Sequence, residues 1–203
     1  MIYHEHARHG AWSVLAILLI SILAVMPRAQ AQSTTNPSIK VREGFVLTVA
    51  VDQIDTPRFM EFGPDGTLYV SVPGQGEIKS CLDKDGDGYF ETIRTFVSNY
   101  PTVHGMDWHD GWLWFTRSGS IYRARDTDGD GVSDETITVI PEGQLPSGGH
   151  WWRPILIHNG RLYTGIGDSG NITDERDTDR EKIWTYDLEG KDKRLFISGI
   201  RNT

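Results

Sequence analysis

The chain has 203 residues, with 20 Lys and Arg against 28 Asp and Glu and a formal net charge of −8. That acidic balance, with no basic stripe, excludes nucleic acid as a partner. The single cysteine, Cys81, excludes an internal disulfide framework, and the absence of C-x-x-C-H excludes a covalently attached c-type haem on this stretch.

The first segment stands apart from the rest. His- and Arg-bearing Met1–Gly10 is followed by the apolar run Ala11–Met26 and then Ala29-Gln30-Ala31. A charged start, an apolar core and an A-x-A site read as a secretory signal peptide over residues 1–31. The apolar run falls short of the about 20 residues needed to span a bilayer. The expectation is an exported protein, periplasmic or secreted, with no stable membrane span after cleavage. An uncleaved N-terminal anchor is the alternative, because Glu5 weakens the basic start.

Residues 32–203 read as repeated β cassettes. The cores Gly66-Thr67-Leu68-Tyr69, Gly111-Trp112-Leu113-Trp114 and Gly160-Arg161-Leu162-Tyr163 recur at offsets of 45 and 49 residues. Each follows a tight-turn signal: Pro64-Asp65-Gly66, His109-Asp110-Gly111 or His158-Asn159-Gly160. Third strands are predicted at Glu77–Lys79, Ser120–Arg123 and Lys182–Tyr186. Fourth strands are predicted at Thr92–Val97, Thr136–Ile140 and Arg194–Ile197. The innermost strands should be Phe59–Phe62, Gly105–Trp108 and Pro154–Ile157. Four short strands per unit of roughly 40–50 residues mark the blades of a β-propeller. No apolar pattern of helical period is sustained after residue 31. An ordinary sandwich is the competing architecture, but here the chemistry of the turns repeats along with the strands. The fold class is therefore all-β, with three to four blades present and the ring incomplete. The chain stops where another blade would begin, so it reads as the N-terminal part of a longer protein.

Arg58, His104, His150 and Arg201 recur at intervals of 46, 46 and 51 residues, at or just before the innermost strands. In a ring, such loops point at one axis. Two guanidiniums and two imidazoles there suit a ligand bearing carboxylates, and a neutral histidine can act as a base near pH 7. The competing reading is that each residue caps its own loop. Trp108 and Trp114 are expected to pack between blades, whereas Trp151 and Trp152 could pack or stack on a flat ligand.

Two acidic loops share D-x-D-G-D-G: Asp83, Asp85 and Asp87 with Glu91, and Asp126, Asp128 and Asp130 with Asp134. Oxygen ligands at positions 1, 3 and 5, with glycine at 6, match the first part of a calcium loop. The bidentate glutamate at position 12 is missing, although Glu135 could substitute in the second loop. Weak calcium sites on the outer rim and plain solvated turns are both open.

The run Leu145-Pro146-Ser147-Gly148-Gly149-His150-Trp151-Trp152-Arg153, followed by Asn159–Tyr163 and Gly165-Ile166-Gly167-Asp168, resembles the glucose/sorbosone dehydrogenase family, in its L-sorbosone dehydrogenase-like branch. Gly199-Ile200-Arg201-Asn202 and Thr56–Met60 with Gly63–Val70 resemble further segments of that family. The resemblance covers residues 40–203. It implies a six-bladed exported propeller that uses pyrroloquinoline quinone (PQQ) and calcium to oxidise a sugar aldehyde or hemiacetal. By position, His150 matches the general base, Arg201 and Asn202 match cofactor-binding residues, and His104 falls near a polar residue over the cofactor. Arg58 matches an arginine with no assigned role. The electron acceptor, a cytochrome or a quinone, is not implied. Gly149 departs from the polar residue that precedes the histidine in relatives, which leaves His150 without an evident orienting group. The family's calcium at the cofactor comes from later blades, so this stretch alone is expected to be inactive. Two other functions fit: a non-catalytic propeller that binds a carbohydrate or a protein, and a propeller module fused to a downstream electron-transfer domain.

Overall fold

A computed structural model describes residues 39–202, so the signal peptide expected over residues 1–31 lies outside the described residues. Twelve strands form three four-stranded antiparallel sheets. The first sheet holds β1 (Phe59–Phe62), β2 (Leu68–Val72), β3 (Glu77–Leu82) and β4 (Thr92–Val97). The second holds β5 (Met106–His109), β6 (Trp112–Arg117), β7 (Ser120–Arg125) and β8 (Glu135–Ile140). The third holds β9 (Ile155–His158), β10 (Arg161–Ile166), β11 (Lys182–Tyr186) and β12 (Arg194–Ser198). Each sheet is a simple meander in chain order, and the described residues contain no helix.

Local chemistry sets the hairpins. Asp110-Gly111 and Asn159-Gly160 carry positive φ at both positions, which gives two-residue type I′ turns whose twist suits the flanking strands. In the first sheet Pro64 cannot adopt positive φ. The connection there lengthens to Gly63–Thr67, and the Asp65 carboxylate accepts from the Thr67 amide at 3.1 Å and its hydroxyl at 2.8 Å. One irregularity repeats in all three sheets. The register between third and fourth strands slips after Ile78, Ile121 and Ile183, which occupy equivalent positions. A bulge at the same place in each unit adds twist of the same sense.

The sheets stack face to face. Tyr69, Ile78, Phe96 and Val97 of the first sheet share one core with Met106, Leu113 and Phe115 of the second. Their equivalents Trp114, Ile121, Val139 and Ile140 share the next core with Ile155, Ile157 and Leu162 of the third. Burial of each such large side chain is worth about 1.5–3 kcal/mol. Trp114 thus fills an inter-blade core, and Trp108 stacks on Tyr69 of the neighbouring sheet at 5.3 Å. Val51 and Ile54 cover Leu68, Val70 and the buried Cys81 on the other face of the first sheet.

The first strands adjoin one another, β1 beside β5 and β5 beside β9. Asp107 on β5 accepts a short hydrogen bond from the Ile157 amide on β9. Three meanders whose first strands meet and whose fourth strands lie outermost form a partial β-propeller, as the sequence predicted.

Candidate functional site

The loops that enter the innermost strands build the site. The Arg58 amide donates to the Ser71 carbonyl at 2.9 Å, and the His104 amide makes the same bond to Thr116 at 3.0 Å. Strand register makes Phe59, Gly105 and Pro154 equivalent, so the third-blade counterpart of Arg58 and His104 is Arg153. His150 is therefore not at the equivalent position, despite its spacing of 46 residues. It lies three residues earlier, on a longer entering loop, and its amide bonds to the Asp168 carbonyl at 2.8 Å. Hydrogen-bond register, not residue count, fixes equivalence in a sheet.

Trp152 is the centre of one group. The Arg58 guanidinium carbon lies 4.6 Å from the Trp152 ring centroid, within cation–π range. The His104 ring lies 4.6 Å from Trp152 and 5.3 Å from Phe59. Trp151 stacks on Trp152 at 3.8 Å. Arg58 enters none of the ion pairs among the described residues. The Nδ1 atom of His104 is buried with no hydrogen-bond partner. Burial lowers the His104 pKa, and the Arg58 charge adds to the effect while the Arg153 carbonyl opposes it. The imidazole is neutral at pH 7.

Asp168 is the centre of a second group. Its carbonyl accepts from His150, and its amide donates to the Arg201 carbonyl at 2.9 Å. Gly149 has φ +63°, and a Cβ there would lie 2.6 Å from the Asp168 carbonyl oxygen and from Ser169 Cα. A Cβ on Gly167 would lie 2.6 Å from His150 Cβ. The departure at Gly149 thus has a steric cause: no larger residue fits where segment 167–169 packs against it. The charge beside His150 comes from Asp168 instead. Its buried carboxylate accepts the Gly170 amide at 2.8 Å and the Thr173 amide at 3.2 Å. These bonds hold its pKa below the usual range, and nearby His150 acts in the same direction. The Arg201 guanidinium donates to the Asn171 carbonyl at 3.0 Å and to the Asn171 side-chain oxygen. Asn202 is exposed beside it.

The segment His150-Trp151-Trp152 links the two groups. The four polar residues singled out by spacing fall two and two, Arg58 with His104 and His150 with Arg201. Asp168 and Arg153 complete the site, and sequence reasoning missed both roles. The sequence signal for Asp168 was its place in Gly165-Ile166-Gly167-Asp168. Arg153 carried none beyond its position next to the tryptophans.

The acidic loops connect third to fourth strands on the outer rim. Ligand atoms of Asp83, Asp85, Asp87 and Glu91 lie within 4.8 Å of one another, as do those of Asp126, Asp128 and Asp130. Either set could hold a cation. Each first aspartate also accepts loop amides, Asp83 from Gly86 at 2.7 Å and Gly88 at 2.8 Å, and Asp126 from Gly129 and Gly131 at 2.7 Å. Glu135 pairs with Arg125 at 2.6 Å and lies outside the group formed by Asp126, Asp128 and Asp130.

The fold and the loop cluster define a β-propeller whose polar residues gather where the innermost strands begin. The chain belongs to the family described as a domain of unknown function, DUF7133, whose profile matches residues 31–195. No curated protein matches it. Among solved structures, the holo PQQ domain of pyranose dehydrogenase from Coprinopsis cinerea is similar at 16% identity and a TM-score of 0.72. That alignment covers 86% of this chain and 45% of the other. A Trichoderma reesei carbohydrate-active enzyme of family AA12, solved with calcium, aligns at 18% identity and a TM-score of 0.57, over 66% of this chain and 35% of that one. The PQQ-bound aldose sugar dehydrogenase of Streptomyces coelicolor aligns at 21% identity and a TM-score of 0.50, over 72% and 48%. The chain spans less than half the length of each, and identities this low establish the shared fold.

Proposed function

We propose that the chain forms the first blades of an exported, PQQ-dependent sugar dehydrogenase that oxidises a sugar aldehyde or hemiacetal. One observation carries the reading. Arg58, without an acid partner, and His104, with a buried unpartnered Nδ1, flank the half-buried indole pair Trp151-Trp152. Unpaired cationic and polar groups around a flat aromatic surface fit a planar polycarboxylate. When bound, the quinone supplies the two-electron acceptor. Arg58 would hold a carboxylate of that group, and His104, neutral, would stand beside it.

His150 accepts the proton from the sugar hydroxyl as the base. The Asp168 charge nearby stabilises the imidazolium that results, and the Gly149–Asp168 contact fixes where the histidine starts. Arg201 and Asn202 line the same end, with Arg201 held in place by Asn171. Export rests on the residue 1–31 pattern. Calcium belongs to the proposal in two places, at the cofactor through later blades and at the rim loops.

A second reading is a non-catalytic propeller that binds a carbohydrate or a protein. It is favoured by the engagement of Arg201 with Asn171, which leaves one fewer guanidinium for the quinone. The deciding experiment uses the whole protein from the exported fraction, titrated with PQQ and calcium and assayed for dye reduction with aldoses and sorbosone. The dehydrogenase reading expects saturable turnover that His150→Gln lowers about 100-fold or more, with quinone affinity kept. Absence of quinone-dependent turnover with His150 intact would leave the binding propeller.

A further inference from the structure

Arg153 is almost fully buried, at 1% exposure, yet it has no carboxylate partner among the described residues. Such a charge is costly unless every donor is used. Its Nε donates to the Ser118 carbonyl at 3.1 Å, and Nη2 donates to Ser118 as well and to the Pro146 carbonyl at 2.5 Å. Nη1 reaches the Gly165 carbonyl at 3.5 Å. Half-buried Arg180 approaches the same two segments. Its Nη2 donates to the Ser147 carbonyl at 2.6 Å, and Nη1 donates to the carbonyls of Gly148 and Gly167, both at 3.2 Å. Three successive carbonyls, 146 to 148, and two flanking Ile166 are thus held by two guanidiniums. The two are close enough that the Arg180 charge, after burial, helps lower the Arg153 pKa to about 10.

We propose that Arg153 and Arg180 form a carbonyl clamp that positions His150, Trp151 and Trp152, and that both are positioning residues of the site. The clamp brackets the segment, with residues 146–148 before it and Arg153 after it, and ties both to the strand end that meets Gly149 and His150. Ser118, in the β6–β7 turn, anchors the clamp to the second blade, which also carries His104. Two like charges side by side persist only because oriented carbonyl dipoles surround them. A lysine keeps the charge but is a single point, and it cannot span carbonyls on three segments in the plane of a guanidinium fork. The link to catalysis rests on the dehydrogenase reading; the link to loop geometry does not.

The test compares Arg153→Lys and Arg180→Lys with Leu162→Ala, a core truncation in the adjoining inter-blade cluster that touches no loop carbonyl. The first readout is the exciton circular-dichroism couplet of Trp151 on Trp152, assigned by its loss in Trp151→Phe. The second is PQQ affinity, followed by quenching of tryptophan fluorescence. The expected result is a lost or inverted couplet in at least one folded lysine variant, with PQQ affinity about tenfold weaker or more. Leu162→Ala should keep both while its Tm falls. Arg180 is half-buried, so its variant should fold even if Arg153→Lys does not. An unchanged couplet in every folded lysine variant overturns the clamp, and so does its equal loss in Leu162→Ala. These variants are made in the whole protein with calcium present; if its wild type binds no PQQ, the dehydrogenase reading fails, and the couplet alone still decides the clamp.

Discussion

Gly149 and His104 show what single residues contribute. Gly149 holds a left-handed φ with Asp168 and Ser169 at its Cα face, so a methyl group has neither the conformation nor the room. Gly149→Ala should cost about 1–3 kcal/mol, read as a lower denaturant midpoint with an unchanged slope. His104 predicts a pH signature. Its folded pKa lies below the usual 6.5 because burial penalises the cation. The unfolded chain therefore takes up the proton first as pH falls, and stability drops once pH goes below about 6.5. The loss stops growing when pH passes the folded pKa. Replacement by Phe removes the titrating group, so His104→Phe should flatten the stability profile between about pH 7 and pH 5 relative to wild type. A denaturation series across that window checks it, and an unchanged slope would show that His104 titrates normally.

At the scale of elements, hairpins and rim loops behave differently from the entering loops. The hairpins are local: Asp110-Gly111 and Asn159-Gly160 specify their turns whatever surrounds them. The rim loops are local as well, since Asp83 and Asp126 are satisfied by amides of their own loops. Desolvation is the largest single effect on Asp83 and raises its pKa, but the amides of Gly88, Gly86 and Asp87 donate to the charged form and together bring it below the usual range. The three aspartates of each loop nevertheless stay within cation-binding distance. If the loops bind calcium, millimolar calcium should raise Tm by a few degrees, and a chelator should reverse it. The double variant Asp85→Asn with Asp128→Asn should abolish the shift. No shift in the wild type would identify these loops as solvated turns. The loop that carries His150 is a different kind of element, because its carbonyls go to Arg153 and Arg180 and not to its own amides.

For the molecule as a whole, the open face of the third blade is the main feature. Tyr69, Ile78 and Phe96 lie in the core that the first blade shares with the second, and Trp114, Ile121 and Val139 in the core that the second shares with the third. Their third-blade equivalents Tyr163, Ile183 and Phe196 line an open apolar groove with Leu156, and Phe196 is 61% exposed. Contiguous apolar surface of this kind drives association. The 203-residue chain should therefore self-associate in sedimentation experiments and bind a hydrophobic dye. Phe196→Glu should reduce both without lowering Tm, because that side chain is not part of a buried core. A monomeric wild type that binds no dye would contradict this.

The sequence by itself determined the strands, the turns and the repeat. Alternation, Asp-Gly and Asn-Gly pairs and the recurrent Leu-aromatic cores act over a few residues, so β1, β4 and β11 fall where the pattern put them. It also picked out Arg58 and His104 as equivalents, because insertions between their blades are small. Only the tertiary structure decided the rest. A longer loop into the third blade moved His150 off the equivalent register and put Arg153 there, and residue spacing carries no information about hydrogen-bond register. The partners of Gly149, Asp168 and the buried Arg153 come from other segments of the chain. Contacts between distant segments depend on how the blades stack, and that is settled by packing the cores, not by any local pattern.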